Sequence, residues 1–190
     1  PDDPDSLVSD DVWTVYTAPS GDMWIGTWGG GLNRYDFDSG KFIRYPVGGD
    51  ASGGLSSPVV NAVLEDHAGT LWIGTNNGLD RLDRKTGRFF RFRHDPDDPG
   101  SLSDNNVTAL LEDSEHRLWI GTGGGGLNRF NPDSGRSFRY HHHPGAPGSL
   151  SSDKISALLE DGEGGLWIGT IDAGLNRFDP RTGRFAHYRH

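Results

Sequence analysis

The sequence predicts an all-β fold, a β-propeller made of four-stranded antiparallel blades with four blades in this chain. Three observations carry that expectation. Trp-Ile-Gly-Thr occurs four times, at 24–27, 72–75, 119–122 and 167–170, with spacings of 48, 47 and 48 residues. Each period holds four short runs, roughly five residues each, rich in Val, Ile, Thr, Trp, Phe and Tyr and bounded by turn residues, which is strand composition. The triplet before each Gly-Thr, Leu-Trp-Ile or Met23-Trp24-Ile25, is apolar at three successive positions. Successive side chains of a strand point to opposite faces, so this strand is buried on both, as a blade between two neighbours would be. A β-sandwich would show cleaner alternation and needs no such period.

Taken in order, each unit opens with a Pro-, Asp-, Gly- and Ser-rich loop ending near Ser6-Leu7, Leu55-Ser56, Ser101-Leu102-Ser103 or Ser149-Leu150-Ser151. Strand A follows at 12–16, 60–64, 107–111 and 155–159. A polar turn such as 65–70 leads to strand B, the Trp-Ile-Gly-Thr run. A Gly-rich turn leads to strand C, as at 126–130, and an Asp-Pro-x-Thr/Ser-Gly turn leads to strand D, as at 88–92. The short A–B and C–D connections make hairpins. Gly40, Gly87, Gly135 and Gly183 stand where such a loop needs positive φ. Gly or Pro interrupts the chain too often for a long helix. The whole chain, 1–190, reads as a single propeller, part or half of a ring, with blades at about 1–47, 48–94, 95–142 and 143–190.

Composition narrows the partners. With 18 Lys plus Arg against 27 Asp plus Glu, the formal net charge is −9, which repels phosphate backbones and anionic membranes and argues against nucleic acid. There is no Cys, hence no disulfide framework and no thiolate zinc site. No apolar run approaches the ~20 residues that span a bilayer, so direct membrane insertion is not expected. The chain lacks an initiator Met and a signal peptide, and reads as a piece of a longer protein or a processed product, soluble in isolation.

The pattern Ser-Leu-Ser, Val-x-Ala-Leu-Leu-Glu-Asp, Gly-x-Leu-Trp-Ile-Gly-Thr, Gly-Gly-Leu-Asn-Arg-Phe resembles the two-component regulator propeller repeat. Units three and four match over nearly their whole length. Unit two departs at Asp80, where Asn is usual, and unit one at Thr17-Ala18, where the others have Glu-Asp. The resemblance implies the periplasmic or extracellular part of a membrane-bound bacterial sensor, such as a hybrid histidine kinase, and a non-enzymatic role in ligand sensing, often of carbohydrate. Such sensors build rings of about seven blades. Four are too few, and the chain divides at a repeat boundary: Arg189-His190 joined to Pro1-Asp2-Asp3-Pro4 mimics the internal stretch 93–102. The expected partner is therefore a second copy, head to tail, or further blades of a longer parent protein. Two other functions stay open: a self-assembling structural scaffold, and a propeller lyase or glycosidase.

Most residues that suggest chemistry recur with the repeat. Gly121–Gly126 superficially matches a nucleotide loop but precedes a strand, not the helix a phosphate needs. The pairs Glu65-Asp66, Glu112-Asp113 and Glu160-Asp161 stand where Asp caps a turn. Arg34, Arg81, Arg129 and Arg177 share one strand position, suited to pairing with blade acids. His141-His142-His143 are consecutive, and consecutive residues seldom converge on one ion. No catalytic residue, metal site or cofactor is expected. The candidates are residues that break the repeat on one rim: Trp28, Asn76, Asn77 and Asp172 in the B–C loops, and Asn105, Asn106 and Lys154 ahead of strand A, at the expected channel mouth. A Trp beside amides and a carboxylate is a plausible oligosaccharide platform, by stacking and hydrogen bonding.

Overall fold

The computed structural model describes residues 5–48 and 53–190. It holds sixteen strands and, among the described residues, no helix. The first sheet is β1 (Val12–Thr17), β2 (Met23–Thr27), β3 (Leu32–Asp36) and β4 (Lys41–Tyr45). The second is β5 (Val60–Glu65), β6 (Leu71–Thr75), β7 (Gly78–Asp83) and β8 (Arg88–Phe92). The third is β9 (Val107–Glu112), β10 (Leu118–Thr122), β11 (Leu127–Asn131) and β12 (Arg136–Tyr140), and the fourth β13 (Ile155–Glu160), β14 (Leu166–Thr170), β15 (Leu175–Asp179) and β16 (Arg184–Tyr188). Each sheet is a blade whose strands pair in chain order, A to D, so the fold is of the β-propeller class, with four four-stranded antiparallel blades in this chain. The chain packs as two compact units that divide between Arg91 and Phe92. The expected junction of His190 with residues 1–4 lies outside the described residues.

The A–B turn explains the Glu-Asp pairs. In the third blade Asp113 Oδ1 accepts the N–H groups of Glu115 and Arg117 at 3.0 and 2.9 Å, while Oδ2 accepts the indole N–H of Trp119 at 2.7 Å. Asp66 holds its turn and Trp72 the same way, and Asp161 its turn and Trp167, with indole bonds of 2.8 and 2.9 Å. One carboxylate thus closes the hairpin and supplies the partner a buried indole requires. The first blade has Ala18 at this place, and the buried Trp24 Nε1 has no partner there. The turn is left-handed at Gly21, Gly69 and Gly164, but in the third blade it is His116 that takes φ 61°.

Two further ties repeat. The B-strand Thr hydroxyl donates to the carbonyl that opens strand C: Thr27 to Gly31, Thr75 to Gly78, Thr122 to Gly126 and Thr170 to Gly174, at 2.8–3.1 Å. This fixes the glycine-rich B–C loops as turns. The strand-C amide then clamps the loop before strand A, as Asn128 Oδ1 accepts from Ser103 N and Asn176 Oδ1 from Ser151 N, both at 3.0 Å. Asp80 does the same with Ser56 N at 2.7 Å, beside Arg91. In the first blade Val8 replaces that Ser, and both amide atoms of buried Asn33 are without partners. The C–D hairpins are left-handed at Gly40, Gly87, Gly135 and Gly183, with φ of 69–71°.

Within each unit, blade packs on blade through the same residue positions. In the first, Trp24, Leu32, Tyr16 and Tyr45 meet Leu55, Val60, Val63, Ile73 and Phe89. In the second, Trp119, Leu127, Leu111 and Tyr140 meet Leu150, Ile155, Leu158, Ile168 and Phe185. The Gly of Trp-Ile-Gly-Thr is where the next strand A comes closest. A Cβ on Gly26 would lie 2.5 Å from Val60 Cγ1, and one on Gly121 2.6 Å from Ile155 Cγ2. Trp24, Trp72 and Trp119 are buried as their pattern predicts. Trp167 is not: it is only half-buried, because its strand-B neighbours share a face that no blade in its unit covers.

Gly121→Ala is expected to cost ~1–3 kcal/mol by overpacking, whereas Gly162→Ala, which meets nothing within 4 Å, stays within ~0.5 kcal/mol; denaturant midpoints of the two variants check this. A second expectation concerns pH. Burial raises the Asp113 carboxyl, but the Trp119 indole and the Arg117 backbone and guanidinium outweigh it and hold the group below the ordinary carboxylate range. Arg177 and the Gly165 N–H depress Asp161. Folded pKa values lie below unfolded ones, so this stabilisation is complete above about pH 4 and is lost as pH falls through the depressed values. Melting temperatures measured from pH 6 to pH 2 should fall steeply only below about 4.

Candidate functional site

Strand A carries a β-bulge in every blade. The register slips between its first and third residues, leaving Trp13, Asn61, Thr108 and Ser156 as the inserted residues. A bulge re-aims one side chain out of the alternation. Three of these are polar. The first is Trp13, 60% exposed, and it packs against Trp28, 51% exposed, with ring centroids 5.8 Å apart and planes tilted 52°. Large apolar rings left in water are the informative exception on a surface.

Trp28 is held by its backbone. Its N–H donates to Asp11 C=O at 2.8 Å, Ser9 Oγ donates to its carbonyl at 3.0 Å, and it bridges to Val59 in the loop before β5. Ser57, in the same loop, accepts the Val59 N–H at 2.9 Å and donates to Asn76 Oδ1 at 2.5 Å. Asn77 donates its N–H to Thr75 Oγ1 and its side-chain amide to Ser56 C=O, both at 3.0 Å. The first unit thus brings Trp28, Asn76 and Asn77 onto adjoining loops and adds Trp13, which pattern reading assigned to an ordinary strand A. The signal was present: an aromatic stands where the other units have Asn, Thr and Ser.

The second unit gathers a polar group. Lys154 Nζ pairs with Asp172 Oδ2 at 2.9 Å, and Ser152 Oγ donates to Asp172 Oδ1 at 2.6 Å. The hydroxyl and the ammonium, in that order, lower the Asp172 pKa, and Asp172 in turn raises that of Lys154. The exposed Asn106 lies beside the glycine loop, its carbonyl accepting the Gly123 N–H at 2.8 Å. Asn105 Oδ1 accepts the His94 N–H at 2.8 Å, the place Asp153 fills for His142. In both blades the histidine Nδ1 sits 2.7 Å from a loop carbonyl, of Leu102 or Leu150, so His142 is a loop staple like His94. The strand-C arginines vary: Arg34 pairs with Asp22 and Arg177 with Asp161 and Glu163, while Arg81 and Arg129 lie over Phe90 and Phe138.

The family model described as two component regulator propeller matches residues 6–29, 54–77, 101–124 and 149–172, just over half of the chain. Among solved structures, the chain is similar to the extracellular domain assigned to a hybrid two component system from B. thetaiotaomicron, with a TM-score of 0.83, 25% identity, and 97% of this chain and 25% of that one covered. A second such domain from the same organism gives 0.75 and 24%, covering 93% of this chain and 25% of that one. Virginiamycin B lyase from Staphylococcus aureus gives 0.71 and 18%, covering 98% and 58%; that likeness and the second domain's show the fold alone. The chain spans about a quarter of the length of the two component structures it matches. No curated protein matches it.

In an NMR titration, Asp172 is expected to have its midpoint below the ordinary ~3.9. Ser152→Ala should move it up more than Lys154→Ala does, in keeping with the order of the two causes.

Proposed function

Since the chain belongs to the two component regulator propeller family, we propose that it is a non-enzymatic sensory module, outside the cytoplasmic membrane, that binds a carbohydrate ligand. The observation that carries this reading is the exposed Trp13–Trp28 pair with the Asn76 amide on the adjoining loop. Sugar rings present apolar C–H faces and a rim of hydroxyls. Two tilted indoles offer stacking surface for the faces, and an exposed amide offers a donor and an acceptor for the rim. A rigid scaffold carrying exposed loop residues is the usual way to build such a site. Lys154 and Asp172, held as an ion pair with Ser152 in the second unit, suit a hydroxyl-rich or charged substituent.

The extracellular two component domain that the chain resembles supports the periplasmic or extracellular setting. Among the described residues no helix is long and apolar enough to cross a membrane. The non-enzymatic reading is supported by the fate of the repeated acids. Asp66, Asp113 and Asp161 each close a turn and hold an indole, which commits these carboxylates to the fold.

Oligosaccharides titrated against the chain should quench Trp fluorescence and shift amides around Trp13, Trp28 and Asn76. Trp28→Ala and Trp13→Ala should each weaken that binding by about tenfold or more, the scale of one lost stacking contact, with the melting temperature unchanged. Shifts confined to the A–B and C–D turns, or full binding by both variants, would sink the reading.

A further inference from the structure

The fourth residue of strand D is Arg44, Arg91 or Arg139 in the first three blades and His187 in the last. Arg139 reaches into the loop that precedes its blade. Its Nε donates to the Ser101 carbonyl at 3.0 Å, and Nη2 to those of Asp98 and Leu102 at 2.9 and 3.1 Å. Arg44 holds the Ser6 carbonyl in the same way at 2.9 Å. His187 is shorter and makes one such bond, from Nε2 to the Ser149 carbonyl at 2.6 Å. Beside it lies an open hollow of about 360 Å³, lined by the loop 142–149, His187 and Arg189.

The same loop has also lost its acids. Asp95, Asp97 and Asp98 of the third blade are replaced by His143, Gly145 and Ala146. Asp98 pairs with Arg136 at 2.9 Å. Arg184 holds the place of Arg136, and among the described residues neither it nor Arg189 makes an ion pair. Asp153 Oδ1 accepts the His142 N–H at 2.7 Å and lies 3.9 Å from His141 Nδ1, but no carboxylate lines the hollow among the described residues. In a chain of net charge −9 such a place is an exception, and salt screens charges beyond ~8 Å, so the local groups decide what enters. The third blade shows that a following blade leaves this place open. There the chain runs on past Tyr140, yet Asp95 and Asp97 are exposed and the Asp98 side chain is 41% exposed.

We propose that the hollow binds a small organic anion through a carboxylate or sulfate group, with Arg189 as anchor and the imidazoles of His142, His143 and His187 beside it. A guanidinium matches the two oxygens of such a group with two parallel N–H bonds. A cation entering the same space would meet Arg189 and find no acid. His142 and His187 each donate one N–H to a carbonyl, of Leu150 and of Ser149. Their remaining nitrogens donate only when the rings are protonated, so binding is linked to proton uptake and tightens as pH falls. The site lies in the second unit and does not rest on the Trp13–Trp28 reading.

The test is an NMR titration of the 190-residue chain with glucuronate, with glucose 6-sulfate and with neutral glucose. At least one anion should shift the side-chain signals of His143, His187 and Arg189, and the stronger of the two names the group; glucose should not shift them. Arg189→Gln should weaken binding about tenfold, the scale of one lost charge-assisted hydrogen bond. His143→Asp combined with Ala146→Asp restores acids that the third blade carries at these places, and should abolish binding with the melting temperature unchanged. Affinity should rise from about pH 8 to about pH 6, where imidazole gains its proton. Absence of shifts with both anions, equal shifts with glucose, affinity that ignores pH, or full binding by both variants would overturn the proposal.

Discussion

The indole of the strand-B tryptophan is the group on which each blade depends. It is the largest side chain of the apolar face, and it carries one N–H that cannot be left dry without cost. The A–B turn meets that need with one aspartate, whose other oxygen caps the turn. The bond therefore ties two scales together. Locally it closes a hairpin, and at the level of the blade it holds the indole flat where the next strand A will land. Trp72, Trp119 and Trp167 share this arrangement. Trp24 shows what happens without it: the ring is still buried, by Tyr45 and the second blade, but its N–H is orphaned.

The second requirement is cover. A blade whose triplet is apolar on both faces must find a neighbour on each side, and the strand-B glycine lets that neighbour approach to van der Waals contact. Burial of Trp119 and exposure around Trp167 come from the same residues in the same register. The difference lies wholly in what packs outside them. Identical local sequence can thus yield a finished core in one blade and a partly exposed face in the next.

This also marks how far the sequence is legible. The period, the sixteen strands, the hairpin glycines and the capping aspartates can be read directly, because each obeys a local rule: composition, alternation, positive φ or turn chemistry. Burial of Trp167 cannot, since it is a property of the neighbour. Trp13 is harder still. Reading strand A as a plain alternation places its ring on a blade face, and a bulge that inserts one residue is invisible to alternation. The departure at Ala18 was legible, but its consequence for Trp24 needs the knowledge that Asp and indole meet six positions apart. For the candidate residues, the loops that carry Trp28, Asn76 and Asp172 follow from the repeat. Which of their atoms are already engaged, as Asn105 is by His94, follows only from geometry.

A double-mutant cycle between Asp113 and Trp119, built from Asp113→Asn, Trp119→Phe and the double variant, tests the dependence of the blade on this bond most directly. Urea unfolding of the four proteins should give a coupling energy of ~1–3 kcal/mol, the range for interacting buried groups. Additive losses, with coupling near zero, would mean that turn and indole are stabilised independently and that the blade does not depend on this bond.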